Sequence, residues 1–204
     1  ILIFTGPIIQ AKSYRIKSVE EYKKIAKTAS PGDTVIWENG TYPDVVWDIK
    51  TNGLAVIAAT PGKVKFSGSS AVKIFADKVV FSGFQFKDGS VKEDVVSVAG
   101  NYNIVRNINI DNYDSHYYFQ ITSNARHNRI ENCNFENKPQ APMGKEGSSV
   151  FQVAVDSVSP GYNIIRYCSF KNHTAPPNAG DDYGMELLRI GYSFHSNYIS
   201  RTIV

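Results

Sequence analysis

Val80 to Asp88 reads VFSGFQFKD, and the same nine-place pattern returns as Ile104 to Asn112 (IVRNINIDN), Arg129 to Asn137 (RIENCNFEN) and Ile164 to Asn172 (IIRYCSFKN). The steps between copies are 24, 25 and 35 residues, a near-constant period with one lengthened interval. Such spacing belongs to solenoids whose loops grow on some turns. The fifth and seventh places are Phe84/Phe86, Ile108/Ile110, Cys133/Phe135 and Cys168/Phe170, with Gln85, Asn109, Asn134 and Ser169 between them. That is period two, so each unit is expected to be a short strand with one buried face. The ninth place is Asp88, Asn112, Asn137 or Asn172, residue types that tolerate left-handed backbone and turn the chain. Equivalent residues then stack at about 4.8 Å in parallel strands. The predicted fold is all-β, a right-handed parallel β-helix. A leucine-rich repeat would need regularly placed Leu and a helix in each unit, and neither is present.

Working outward, 204 residues with 42% hydrophobic content suffice for one sizeable core, and no Gly/Ser linker or charge block divides the chain. A formal charge of +3 does not mark a nucleic-acid binder, although a mildly basic surface suits an anionic polymer. Cys133 and Cys168 share one place in neighbouring units. Stacking would bring them within disulfide distance, while their apolar face suits two buried free thiols. Ser18 to Ala29 is predicted to be a helix: Ser18 and Glu21 form a capping box, and Val19, Tyr22, Ile25 and Ala26 recur at helical spacing. It would cap the open end of the solenoid. Residues 1–11, ILIFTGPIIQA, resemble the remnant of a signal peptide cleaved after Ala11, which predicts a secreted or periplasmic protein; the alternative is an opening strand. No stretch is long and apolar enough to predict a membrane span. A fifth unit begins at Arg201 with no cap after it. Residues 12–204 are therefore expected to be an incomplete β-helix domain that lacks its C-terminal coils.

With the helix cap, PGDTVIWENGTY at Pro31 to Tyr42, GFQFKDG at Gly83 to Gly89 and LLRIGYS at Leu187 to Ser193, the chain resembles polysaccharide lyase family 6, which contains alginate lyases and chondroitinase B. The resemblance runs from about Ser13 to Val204. It implies eliminative cleavage of an acidic polysaccharide at a uronic acid. The proton beside an ionised carboxylate is weakly acidic, so a cation must neutralise the carboxylate, a base must take the proton, and an acid or water must serve the leaving oxygen. In this family the cation is commonly Ca²⁺, held by an Asn and an E-x-E strand, with Lys as base and Arg as acid. The E-x-E strand, the Lys and the Arg are expected beyond Val204, so no catalytic residue is assigned within this chain.

The family's Asn ligand falls six residues before the Arg of RIG, where this chain has Tyr183, a poor calcium ligand. Asn178, opening an NAG triplet, and the carboxylates of Asp181 and Asp182 are the substitutes offered for the metal. Glu186 and Arg189 match the Glu and Arg of the family pattern. The resemblance makes Arg189, Glu186, Tyr183 and His173 the candidate substrate-binding residues, Arg189 through its planar fork; structural ion pairs for Arg189 or Glu186 and a solvated His173 are the alternatives. His116-Tyr117-Tyr118-Phe119 offers aromatic platforms for sugars, with Phe119 placed in the core, and Lys138 to Ser149 reads as a loop between coils. Alginate is the expected substrate and dermatan sulfate or chondroitin the second choice, because Val155 to Gly161 is short and lacks an Arg that chondroitinase B carries in a longer loop. A pectin hydrolase using Asp181 and Asp182 and a non-catalytic carbohydrate-binding solenoid are the alternatives from other classes.

Overall fold

The computed structural model describes residues 10–122, 124–139, 150–154 and 161–173, together with the backbone of Leu188–Ile190 and Tyr198–Ser200. These residues form three parallel sheets, of eight, six and six strands, in which strands from successive turns of the chain lie side by side. Sheet A opens with Ser13–Ile16, Thr34–Trp37 and Ala55–Ala58 and continues through Val80–Ser82, Ile104–Arg106, Arg129–Glu131 and Ile164–Arg166 to Tyr198–Ser200. Sheet B runs from Gly40–Pro43 to Ser169–Lys171, and sheet C from Val46–Ile49 to Leu188–Ile190. The predicted parallel β-helix is what the chain forms.

Each nine-place unit contains two strands where the sequence led us to expect one. Val80–Ser82 belongs to sheet A and Phe84–Ser90 to sheet B. The fourth place makes the corner: Gly83, Asn107, Asn132 and Tyr167 all have φ between 53° and 90°. At Gly83 a Cβ would come within 3.1 Å of the Ala58 side chain, so glycine serves both the dihedral and the packing. The ninth place is left-handed throughout, with φ of 51–56° at Asp88, Asn112, Asn137 and Asn172. The strands Phe84–Ser90 and Asn109–Asp114 nevertheless run on through it.

Period-two burial builds continuous inward columns. In sheet C the cross-strand partners Trp47, Val72, Val96, Phe119 and Phe151 form one column, and Ile49, Ile74, Val98, Ile121 and Val153 the next. All ten are buried. Aromatic rings continue the stacking, with Phe81 and Phe84 at 4.5 Å and Phe119 and Phe151 at 4.8 Å between centroids.

A second ladder lies inside the coil, one residue ahead of each unit. Asn103, Asn128 and Asn163 are fully buried. The Asn103 side-chain oxygen accepts the Val79 N–H at 2.8 Å, that of Asn128 accepts the Asn103 N–H at 2.9 Å, and that of Asn163 accepts the Asn128 N–H at 3.0 Å. Each amide thus satisfies a backbone donor of the preceding turn that would otherwise be buried without a partner. This ladder was not foreseen from the sequence.

The helix runs from Val19 to Ala26, shorter than the expected Ser18 to Ala29. It closes early because the Thr28 and Ala29 N–H groups both donate to the Ile25 carbonyl. Ser18 Oγ accepts the Glu21 N–H at 3.2 Å, as a capping box requires, but the Glu21 carboxylate reaches one residue further back, to the Lys17 N–H at 2.6 Å. Val19 and Tyr22 join the core, so the helix covers the end of the solenoid between two parallel strands, Ser13–Ile16 and Thr34–Trp37. The Asp of PGDT is structural: Asp33 accepts backbone N–H groups of Lys12 at 2.8 Å and Ser30 at 2.9 Å. Cys133 and Cys168 are free, buried thiols.

Candidate functional site

The outward positions of sheet C form one polar row. Cross-strand pairing aligns Asp48 with Lys73, Lys73 with Ser97, Ser97 with Gln120, Gln120 with Gln152, and Gln152 with Arg189. Because side chains alternate along a strand, the inward columns and this row are two faces of the same strands. Arg189 therefore occupies the next rung after Gln152, one strand spacing of about 4.8 Å away. The Gln120 amide donates to the Gln152 side-chain oxygen at 2.9 Å, and Gln152 and Ser97 are buried. Lys73 pairs with Glu93 at 2.9 Å. That hydrogen bond raises the Lys73 pKa and lowers that of Glu93, so both stay ionised.

A buried polar cluster borders this row at the corner between sheets B and C. Lys138 is 3% exposed. Its ammonium donates to the Ser115 carbonyl and lies 5.0 Å from the centre of the Tyr118 ring. Burial pulls its pKa down to about 8, against the pull of the Asp114 and Asp94 charges. Burial pushes Asp94 up to about 6, reinforced by Glu93. His173 sits against the same residue: Nδ1 accepts the Lys138 backbone N–H at 3.3 Å, and the other ring nitrogen lies 2.9 Å from the Phe135 carbonyl oxygen. A carbonyl only accepts, so the proton is on Nε2, and burial lowers the ring pKa and favours this neutral form. Both ring nitrogens of this candidate substrate ligand are thus engaged by backbone.

Three of the four residues proposed as sugar platforms are inside. Tyr117, Tyr118 and Phe119 are buried, Phe119 as expected. The Tyr118 hydroxyl accepts the Tyr113 N–H at 2.9 Å and donates to the Glu136 carbonyl at 3.1 Å, which ties it to the corner between sheets. Lys138, read as the start of a loop between coils, belongs to this interior as well. Arg189 is described by its backbone; Asn178, Asp181, Asp182, Tyr183 and Glu186 lie outside the described residues, as do residues 1–9 of the expected signal remnant. Among the described residues no group of three or more His, Cys, Asp and Glu is placed to hold a metal ion. No helix among the described residues is long and apolar enough to cross a membrane.

A family model described as Chondroitinase B matches residues 16–204. In fold, the chain is similar to the family 6 polysaccharide lyase Pedsa3628 from Pseudopedobacter saltans, with a TM-score of 0.71 and 22% identity over 91% of this chain and 46% of that one. It is similar to a mannuronic acid specific polysaccharide family 6 lyase from human gut microbiota, with a TM-score of 0.67 and 20% identity over 92% of this chain and 48% of that one. A third similar structure is alginate lyase AlyF-OU02 in complex with G6, with a TM-score of 0.65 and 17% identity over 96% of this chain and 46% of that one. The chain spans about half the length of these structures. No curated protein matches it.

Proposed function

The chain belongs to the Chondroitinase B family, polysaccharide lyase family 6, and from that premise we propose that the protein cleaves a uronate-bearing acidic polysaccharide by β-elimination, with alginate as its substrate. The observation that carries the site is the register of Arg189 on the polar row of sheet C. A guanidinium at that rung meets a carboxylate through two parallel hydrogen bonds. Gln152 on the adjacent rung is buried and held by the Gln120 amide, so it supports this position without adding charge.

In the reaction, a base removes the proton on the carbon beside the uronate carboxylate. A carbon–carbon double bond forms as the bond to the glycosidic oxygen breaks, and that oxygen takes a proton from an acid or from water. Arg189 holds the carboxylate and offsets its charge, which makes the neighbouring proton easier to remove. The base and the acid are assigned to no residue of this chain. A calcium requirement, with Asn178 and Asp182 as the offered ligands, rests on the resemblance; bound there, the ion would withdraw charge from the same carboxylate. The signal-like residues 1–11 support a secreted or periplasmic enzyme, where a polymeric substrate would be met.

The test is to incubate the protein with alginate, dermatan sulfate and polygalacturonate and to follow ultraviolet absorbance from unsaturated ends, with and without a chelator. Absorbance on alginate alone is the expected result. Unsaturated ends only from dermatan sulfate would move the substrate within the family. Shortening without unsaturation would indicate hydrolysis, and binding without shortening a carbohydrate-binding solenoid. Arg189→Ala should lower kcat/KM about 10- to 100-fold, the cost of a charged hydrogen-bonding pair.

A further inference from the structure

We propose that the cavity between the capping helix and the first strand of sheet C is an anchoring subsite for a uronate residue of the polymer, far from Arg189 on the same floor. Its ligand class rests on the lyase proposal above.

The cavity arises from the way the solenoid begins. Sheet C starts at Val46–Ile49, which has no neighbouring strand on its outer side. The helix covers that edge, but a helix cannot follow the pleat of a strand, and a gap of about 630 Å³ is left. That volume lies within the roughly 300–1,000 Å³ of small-ligand sites. Tyr22, Lys23 and Lys27 line it from the helix, and Val46, Trp47, Asp48 and Lys50 from the strand.

The rim specifies the charge of the ligand. Lys23 and Lys27 form no ion pair among the described residues, while Lys50 is held at 2.8 Å from Asp48, the one carboxylate in the lining. An anion is favoured there, and a carboxylate is the anion of a uronan. Tyr22 and Trp47, 2% and 3% exposed, close the cavity on its inner side.

The position gives the site its purpose. Asp48 is both part of the cavity wall and the first member of the row that ends at Arg189. Five strand steps separate them, about 24 Å. A chain bound at Arg189 reaches the cavity only if it is several sugars long. Its second contact is then intramolecular and lowers the concentration needed for binding.

The test compares wild type with Lys23→Glu/Lys27→Glu and with a control reversal of two exposed lysines away from the cavity, Lys63→Glu/Lys65→Glu, after circular dichroism has shown that all fold alike. On polymeric substrate the cavity variant should raise KM about tenfold while leaving kcat/KM on trisaccharides unchanged, and the control should leave both near wild type. Equal KM values on polymer for wild type and cavity variant, or equal losses in the cavity and control variants, would overturn the proposal. Tryptophan fluorescence, read as the difference between the protein and its Trp47→Phe variant, is titrated with saturated uronate oligosaccharides as an independent measure. A saturable change abolished in the lysine variant supports the site even if no polymer is cleaved, which would defeat only the lyase proposal. No change, or one indifferent to the lysines, defeats the site even if the enzyme is active.

Discussion

Replacing Asn128 with Ala tests the interior amide ladder at its middle rung. In the native coil the Asn128 side-chain oxygen accepts the Asn103 N–H at 2.9 Å, and its amide nitrogen donates to the Asn163 side-chain oxygen at 3.1 Å. The substitution leaves the Asn103 N–H buried without an acceptor, at about 1–3 kcal/mol, and deletes a second hydrogen bond worth about 1 kcal/mol. The Asn163 oxygen keeps its bond from the Asn128 backbone at 3.0 Å, so the damage spreads in one direction, toward Asn103. The sum is a destabilisation of about 2–4 kcal/mol, read from the shift in urea midpoint at constant slope. Amide exchange gives the local readout: the Asn103 N–H should lose protection while the Val79 N–H, still held by the Asn103 oxygen at 2.8 Å, should not. A loss of stability below 0.5 kcal/mol, or equal loss of protection at residues 79 and 103, would refute the reasoning.

Three further outcomes follow from buried groups. Lys138 has a folded pKa of about 8, below the 10.5 of the free side chain, so the unfolded chain binds more protons between those values; stability should rise with pH across that window, and Lys138→Met should flatten the rise in melting curves taken from pH 7 to 11. At Gly100 a Cβ would meet the Ala76 carbonyl oxygen at 2.0 Å and its carbon at 2.6 Å, so Gly100→Ala should cost about 3 kcal/mol in denaturant, because the obstacle is backbone that cannot rotate away. Burial raises the Cys133 thiol pKa, and both cysteines are buried, so a thiol reagent should label neither in native protein and both in denaturant; labelling of neither in denaturant without reductant would mean that they are joined.

The inward columns were legible in the sequence because a strand announces its buried face by alternation, as Phe84/Phe86 and Ile108/Ile110 do. The left-handed ninth place was legible because Asp and Asn favour that backbone. The corner at the fourth place was not: Gly83, Asn107, Asn132 and Tyr167 share a dihedral but no chemistry. The interior ladder was missed although Asn103, Asn128 and Asn163 each precede a unit by one residue, since asparagine suggests an exposed turn until stacking supplies its partners. Lys138 misled for a similar reason, because its ammonium is satisfied by the Ser115 carbonyl of the preceding turn, 23 residues away. At the candidate site, the pattern of RIG fixed the strand holding Arg189, and register then aligned it with Gln152, a neighbour 37 residues earlier that no motif links to it.

The backbone of sheet C acts as a gauge. Between Asp48 and Lys73 the chain travels 25 residues, and between Gln152 and Arg189 it travels 37, yet each journey ends one rung further on. Distance along the floor is metered by interstrand hydrogen bonds and is indifferent to how much chain loops out between rungs. Segments between the rungs can therefore lengthen, shorten or change composition while the interval between Lys73 and Arg189 remains four strand spacings, about 19 Å.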